Sequence, residues 1–489
     1  MKQILYYSTN NPKERVSFET ALLNGIASNY GLYMIDKKDI QKISSKRIRA
    51  MKDMSYAEIA FEVLNPYLGI PDNDIRVILE NAYNEKIIPT KIQHVVGLSY
   101  IMWLTNGPTY SFKDYAARFL ARTLGYFLYK RGLERTVITA SSGDTAGAVG
   151  EALHGRRNID CILLFPKDRI SIPQRRQFTT LKDNIYAFEV NGDFDVCQEL
   201  AKFLLADKEF AKEVFGDADR FTSANSISLG RLLPQTVYPF FAYSRIIREY
   251  PESLITSIPS GNFGDMMGTV IAREMGLPIE TILVGVNEND EFPEFLKTGR
   301  YIVKPTKKSP STAMNISHPS NLARLIEIYG GHMYDKRDEK GNVIEKGIID
   351  KMPNLKKMNY DIISMSVNDK QHYETMKLLY DGYDIMVDPH TAVAWKVLDE
   401  FFGDVNIEFY EPHHIYSVVY ATADPGKFPD DFIRATGIKP KLPQGMKKQA
   451  SLDERILSIE SEPEYTEDGL KLSNGQILET KRYIREIFQ

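Results

Sequence analysis

The chain has 489 residues, with 61 Lys+Arg against 65 Asp+Glu for a formal net charge of −4, a hydrophobic fraction of 43% and a charged fraction of 26%. These are the proportions of a globular chain long enough for two or three domains, and the lack of a basic excess argues against a general nucleic-acid surface. Two cysteines, Cys161 and Cys197, without metal or redox spacing, point to a reducing compartment. No apolar run approaches the ~18–20 residues of a membrane span, and MKQILYYSTN lacks the apolar region of a signal peptide, so the expected location is cytoplasmic.

Through about residue 95 the sequence holds helical runs, Phe18 to Gly25, Tyr56 to Asn65 and Asp72 to Tyr83, divided by Gly and Pro, and reads as an N-terminal extension (1–95). From Arg135 onward, β-branched apolar runs alternate with amphipathic stretches. Thr136 to Thr139 is a strand and Thr145 to Leu153 a helix; Asp160 to Phe165 is a strand and Pro173 to Leu181 a helix. Asn184 to Val190 with Asp193 to Leu205 repeats the unit, as does Leu254 to Ile258 with a helix from about Asp265 to Met275. Parallel strands buried under helices read in this way, so the class is α/β. A catalytic region is expected over 96–445, with a smaller α/β subdomain at about 125–240. The charged stretch Tyr334 to Gly347 reads as an exposed loop or hairpin, Lys439 to Lys448 as a solvated basic segment, and 446–489 as a C-terminal tail without a motif.

Three segments carry chemistry. Gly107-Pro108-Thr109-Tyr110-Ser111-Phe112-Lys113-Asp114 leads directly into an amphipathic helix; alone, its lysine is an ordinary surface residue. Ser141-Ser142-Gly143-Asp144-Thr145 lies between a strand and a helix, where small residues expose amides at the positive helix end to a carboxylate or phosphate. Its plainer reading is an N-cap by Asp144. Gly261-Asn262-Phe263-Gly264-Asp265 is a second such turn, a weak signal alone because any tight turn can use glycine. Together they supply one lysine for an imine and two anion nests, the requirement of pyridoxal phosphate (PLP). No Rossmann or P-loop spacing competes. The eight histidines form no metal pattern, and the adjacent His413 and His414 point apart and read as structural.

These segments, in order with others, resemble the threonine synthase family in its longer form with an N-terminal extension. The motifs are Y-Y-S-T at Tyr6 to Thr9, G-L-Y at Gly31 to Tyr33, G-P-T-Y-S-F-K-D, S-S-G-D-T, N-G-D-F-D at Asn191 to Asp195, and N-S-I at Asn225 to Ile227 with R-L-L-P-Q. G-N-F-G-D, A-M-N-I-S-H-P-S-N at Ala313 to Asn321, D-P-H-T-A at Asp388 to Ala392 and A-T-A-D-P-G-K-F at Ala421 to Phe428 follow. The resemblance implies a fold-type II PLP enzyme, tryptophan synthase β-like, with two open parallel-rich sheets, that converts O-phospho-L-homoserine and water to L-threonine and phosphate. It implies Lys113 as the lysine that forms the imine and shuttles protons, and Asp144 beside the cofactor's 3-oxygen. Gly261, Asn262, Phe263 and Gly264, with Asp265, are implied as the cofactor phosphate loop, and Thr422 as a hydroxyl at the pyridine nitrogen. Ser142, Gly143 and Thr145 are implied for the substrate carboxylate, Thr145 reaching the substrate phosphate, and Asn225, Ser226 and Arg231 for that phosphate.

Each assignment has a chemical reason. A permanently charged guanidinium grips phosphate through paired hydrogen bonds, and a neutral hydroxyl at the ring nitrogen tempers the electron sink in a way that suits elimination. The alternative is a PLP-dependent phospho-lyase or a threonine/serine dehydratase-type elimination, and a third reading is a catalytically dead binding paralogue. A dehydratase has no need of a phosphate-binding Arg231. Asn106, Ser228 and Asp424 depart from the family pattern and bear on substrate detail, while His318 and His390 fall inside its motifs as structural histidines or residues behind the site. The expected partner is a small-molecule substrate of a monomer or homodimer, with no nucleic acid, membrane or metal.

Overall fold

The computed structural model describes residues 3–27, 29–248, 252–338, 343–404, 415–466 and 469–489, so His413 and His414 lie outside the described residues. Two parallel-rich sheets organise the chain. The large sheet has the order Ile362–Ser366, Ile279–Val286, Leu254–Pro259, Tyr416–Ala421, Ser99–Trp103, Lys91–Val96, all parallel except the last, which is antiparallel to Ser99–Trp103. The small sheet runs Ile456–Ile459, Ile185–Val190, Ile159–Pro166, Arg135–Ala140, Phe221–Ser223, parallel throughout. Strands Arg135–Ala140, Leu254–Pro259 and Tyr416–Ala421 are buried at every residue. Cover on both faces is why they read as unbroken apolar runs rather than as an alternation. The helices expected between strands are Asp144–Leu153, Ile172–Thr179, Phe194–Ala206 and Gly264–Glu274.

In the N-terminal region the helices are Phe18–Asn24, Tyr56–Leu68 and Asp72–Ala82. A three-stranded antiparallel sheet, Asn11–Val16, Tyr6–Ser8, Tyr33–Ile35, was not legible in the sequence. Strands Tyr6–Ser8 and Tyr33–Ile35 are three residues long and the edge strand Asn11–Val16, NPKERV, is polar and mostly exposed, so none gives a hydrophobic period. The boundary expected at residue 95 falls inside strand Lys91–Val96, which pairs into the large sheet.

Residues 446–489 are not a tail. Ile456–Ile459 adds a strand beside Ile185–Val190, and helix Asn474–Phe488 packs Ile484 and Phe488 onto the small sheet's core, Phe488 lying 5.3 Å from the Tyr186 ring. A narrow apolar stripe on an otherwise charged helix buries enough to dock it, and the flanking charge hid that stripe. Of the stretch Tyr334 to Gly347, residues 339–342 lie outside the described residues, and the flanking strands His332–Arg337 and Val343–Lys351 pair antiparallel. Cys161 and Cys197 are buried free thiols, and Lys439, Lys441, Lys447 and Lys448 are exposed.

The strand order reverses beside Arg135–Ala140 in the small sheet and beside Leu254–Pro259 in the large one. Open α/β sheets leave a crevice beyond the carboxyl ends of strands at such points. The segments beginning at Ser141, Ala224, Ser260 and Thr422 all leave from these ends.

Candidate active site

Lys113 opens helix Lys113–Arg131, and the loop before it is bound on several sides. The Asp114 carboxylate accepts from the Thr109 amide at 2.9 Å and the Thr109 hydroxyl at 2.5 Å, and burial pushes its pKa up to about 6, against those bonds. A Cβ at Gly107 would fall 2.4 Å from that carboxylate, so only glycine admits the turn. The Phe112 amide donates to Thr422 O at 2.9 Å and the Asp424 amide to Tyr110 O at 3.1 Å, which joins the loop to the end of strand Tyr416–Ala421.

The Lys113 ammonium lies 3.7 Å from Asp144 Oδ2, with 15% of its side chain exposed. Asp144 Oδ1 accepts from Lys427 Nζ at 2.8 Å and Gln174 Nε2 at 2.9 Å. Burial alone raises an aspartate's pKa, but Lys427, Lys113 and the Gln174 bond hold this one far below the usual range. Burial lowers the Lys113 pKa, and Lys427 and Arg231 add to that, with Asp144 and Asp265 opposing them. A lysine so placed gives up its proton more readily and is a better nucleophile. Asp144 does not cap its helix: Ser141 Oγ accepts from the amides of Gly143 at 3.0 Å and Ala146 at 2.8 Å instead. The amides of Ser142, Asp144 and Thr145 have no hydrogen-bond partner among the described residues. Gly143 sits at φ +133°, where a Cβ would meet Gln174 at 3.0 Å.

Across the cavity, the amides of Gly261, Asn262, Phe263 and Gly264 also have no partner among the described residues, at the start of the eleven-residue helix Gly264–Glu274. Phe263 takes φ +59° with its ring buried against Phe292, centroids 4.9 Å apart, and that left-handed turn points successive amides the same way. A Cβ at Gly261 would lie 2.4 Å from Ala313 O, and one at Gly264 would lie 2.8 Å from Gln235 Nε2. Burial raises Asp265 to about 6, against its backbone hydrogen bonds.

Arg231, in the short helix Leu229–Leu232, is 4% exposed; its Nη1 donates to Ala224 O at 2.7 Å and its Nε is buried without a partner among the described residues. Burial lowers its pKa to about 10. Asn225 spends its side chain on strand Arg135–Ala140, donating to Ala140 O at 2.8 Å and accepting from the Ala140 amide at 3.3 Å. Every residue expected in the site lines one cavity except Gly143, which stands behind it. Sequence reasoning missed Lys427 and Gln235, and named His390 only as a structural histidine or a residue behind the site. All three lie inside quoted motifs, but their part depends on contacts between distant segments. His390 Nδ1 is 2.5 Å from Asp388 and its Nε2 accepts from the Ala313 amide at 3.0 Å, fixing the backbone that Gly261 faces. His318 is held by Asp335 at 3.0 Å and Tyr301 at 2.9 Å.

Residues 5–83 match the family described as threonine synthase N terminus, 85–341 the pyridoxal-phosphate dependent enzymes, and 391–468 the threonine synthase C-terminal family. Threonine synthase from Pseudomonas aeruginosa is 31% identical over 475 residues, 94% of this chain and 96% of that protein. The chain belongs to the threonine synthase family. Another member, from Methylobacillus glycogenes, is 32% identical over 481 residues, 94% of this chain and 97% of that protein. Among solved members, the PLP-bound threonine synthase from Brucella melitensis is 29% identical with a TM-score of 0.84 and 100% of both chains covered. The Escherichia coli enzyme is 27% identical with a TM-score of 0.82, covering 99% of this chain and 100% of the other. The cavity fits the family's cofactor: a lysine primed to lose its proton faces a cradle of unpartnered amides at a helix N-terminus, the donor set a phosphorylated aldehyde needs. Of the departures, Asn106 donates to Trp103 O at 3.3 Å, Asp424 accepts from the Gly426 amide at 2.8 Å, and Ser228 is buried with its hydroxyl unpartnered. No described helix is long and apolar enough to cross a membrane.

Proposed function

We propose that this enzyme converts O-phospho-L-homoserine and water to L-threonine and phosphate. The observation that carries the reading is the pair of separate places for phosphate around one lysine: the Gly261 to Gly264 amides, and a buried Arg231 whose Nε has no partner. Gly261 to Gly264 would hold the phosphate of PLP itself, and a dehydratase's substrate brings no phosphate for the other. When bound, PLP supplies the electron sink that lets carbons near the substrate's amino group lose protons.

The chain's own residues do the rest. The Ser142, Asp144 and Thr145 amides bind the substrate carboxylate, and Arg231 with Ser226 holds its phosphate, with Asn225 fixing their segment to the strand end. Lys113 takes the proton from Cα, hands it on, and only then takes one from Cβ; Asp144, 3.7 Å away, stabilises the ammonium formed each time. Arg231 also carries the charge that grows on the phosphate as it leaves Cγ, so the anchor is spent on the bond-breaking step. Water then adds its hydroxyl at Cβ, and the three protons set free, from Cα, Cβ and the water, end on Cγ, on Cα and on the released phosphate. Thr422 would hold the cofactor ring at its nitrogen, and Asp144 at its 3-oxygen. The setting is the cytoplasm, in keeping with two reduced cysteines.

The test is a product assay: incubation with O-phosphohomoserine should give threonine and phosphate in equal amounts. A keto acid with phosphate would assign a phospho-lyase instead, and no turnover by the PLP-loaded protein would leave the dead-paralogue reading standing.

A further inference from the structure

Arg324, in helix Leu322–Ile328, has the largest fully buried side chain among the described residues, 0% exposed, and none of its five hydrogen bonds goes to a carboxylate. Burying a guanidinium with only neutral acceptors is costly, and it persists only where the surroundings fix every direction of the fork. Here they do. Nε and Nη2 donate to Tyr33 O at 3.0 and 2.8 Å, Nη2 also to Ile227 O at 2.6 Å, and Nη1 to Asn321 Oδ1 at 2.6 Å and Ser226 O at 3.4 Å. Asn321 passes the link on, its Nδ2 donating to Asn262 O at 2.9 Å and its amide to the same oxygen at 3.3 Å. One guanidinium therefore grips strand Tyr33–Ile35 of the N-terminal sheet, the Ser226–Ile227 backbone, and, through one amide, the Gly261–Gly264 loop.

We propose that Arg324 is the positioning residue that sets the two phosphate-holding segments of the cavity in register with each other and with the N-terminal sheet. The inference rests on the two-phosphate reading above. It gives the N-terminal region a task in the site, because Tyr33 O is the fixed point against which the fork is held. Lysine keeps the charge at this position but cannot serve divergent acceptors from one nitrogen. Asn321→Ala removes the side-chain bond to Asn262 O, a longer one to Ser226 O at 3.4 Å and one acceptor of Arg324 Nη1, and leaves the bonds of Arg324 to Tyr33, Ile227 and Ser226.

The experiment measures PLP affinity by titrating protein freed of PLP, and KM and kcat for O-phosphohomoserine at saturating PLP, in Arg324→Lys and Asn321→Ala, with melting temperatures alongside. Loss of one well-placed bond corresponds to about tenfold in a binding constant. Arg324→Lys should weaken PLP binding and raise KM by about tenfold each, whereas Asn321→Ala should weaken PLP about tenfold and leave KM within about threefold. Variants that melt lower but hold both constants within about twofold of wild type would make Arg324 a stabiliser only and overturn the proposal. If Arg324→Lys does not fold, Asn321→Ala decides by the same thresholds. If wild type does not turn over O-phosphohomoserine, the substrate reading falls while the PLP titrations of both variants still judge Arg324.

Discussion

Arg231→Ala should lose turnover of the phosphorylated substrate while keeping the cofactor. The guanidinium is 4% exposed and already stripped of water, one nitrogen is given to Ala224 O at 2.7 Å, and Nε is left over. A hydrogen bond to a charged group contributes roughly 1.5–3 kcal/mol, and a paired guanidinium contact lies at or somewhat above the upper end. A loss of about 3–4 kcal/mol corresponds to about 10²–10³ in kcat/KM at ~1.4 kcal/mol per decade. Because the phosphate is both anchor and leaving group, the loss should divide between KM and kcat. The assay is steady-state phosphate release over a range of O-phosphohomoserine, with PLP content and the inhibition constant of an unphosphorylated amino acid as controls. Those controls depend on Lys113 and the Ser142 to Thr145 amides and should move by less than about threefold. Arg231→Lys, which keeps the charge without the fork, should fall between wild type and Arg231→Ala. Wild-type turnover in Arg231→Ala, or loss of PLP together with activity, would refute the assignment of this guanidinium to the leaving phosphate.

Four further substitutions test the rest of the site. Lys113→Ala should abolish the borohydride-reducible PLP adduct without unfolding the protein; trapping on Lys427, the other buried lysine at Asp144, would move the imine there. Gly261→Ala forces a Cβ against Ala313 O at 2.4 Å, so the loop must shift and PLP affinity should fall about tenfold, consistent with ~1–3 kcal/mol for overpacking, while Gly264→Ala, which meets the side-chain amide of Gln235 at 2.8 Å rather than backbone, should do less. Unchanged PLP affinity in Gly261→Ala would remove this loop from the site. Lys427→Met breaks a buried ion pair, a loss of about 3–5 kcal/mol. Asp144 has a depressed folded pKa, so its stabilisation is present above the unfolded value near ~3.9 and disappears as pH falls through the folded one. The melting-temperature gap between wild type and Lys427→Met should therefore be flat from about pH 7 to about pH 5 and narrow as pH falls below about 4, and a gap constant down to about pH 2 would contradict the role given to Lys427.

The sequence by itself determined the strand and helix alternation from Arg135 onward, because strands covered on both faces must be apolar throughout and helices between them must carry a period near 3.6. It also marked the loops at Lys113, Ser141 and Gly261, where small residues and left-handed turns are required locally by backbone sterics. The tertiary structure decided what those residues meet. That Asp144 serves two lysines rather than capping its own helix rests on Lys427, 283 positions away. Gln174 reaches Asp144 from 30 positions off, and Arg324 reaches Tyr33 across 291. Whether Arg231 is a surface charge or a desolvated donor, and whether 446–489 trails or docks, depended on burial against distant segments. Sequence periodicity reports which face of an element is apolar, but pairing between elements is set by the whole core and leaves no mark at the paired positions.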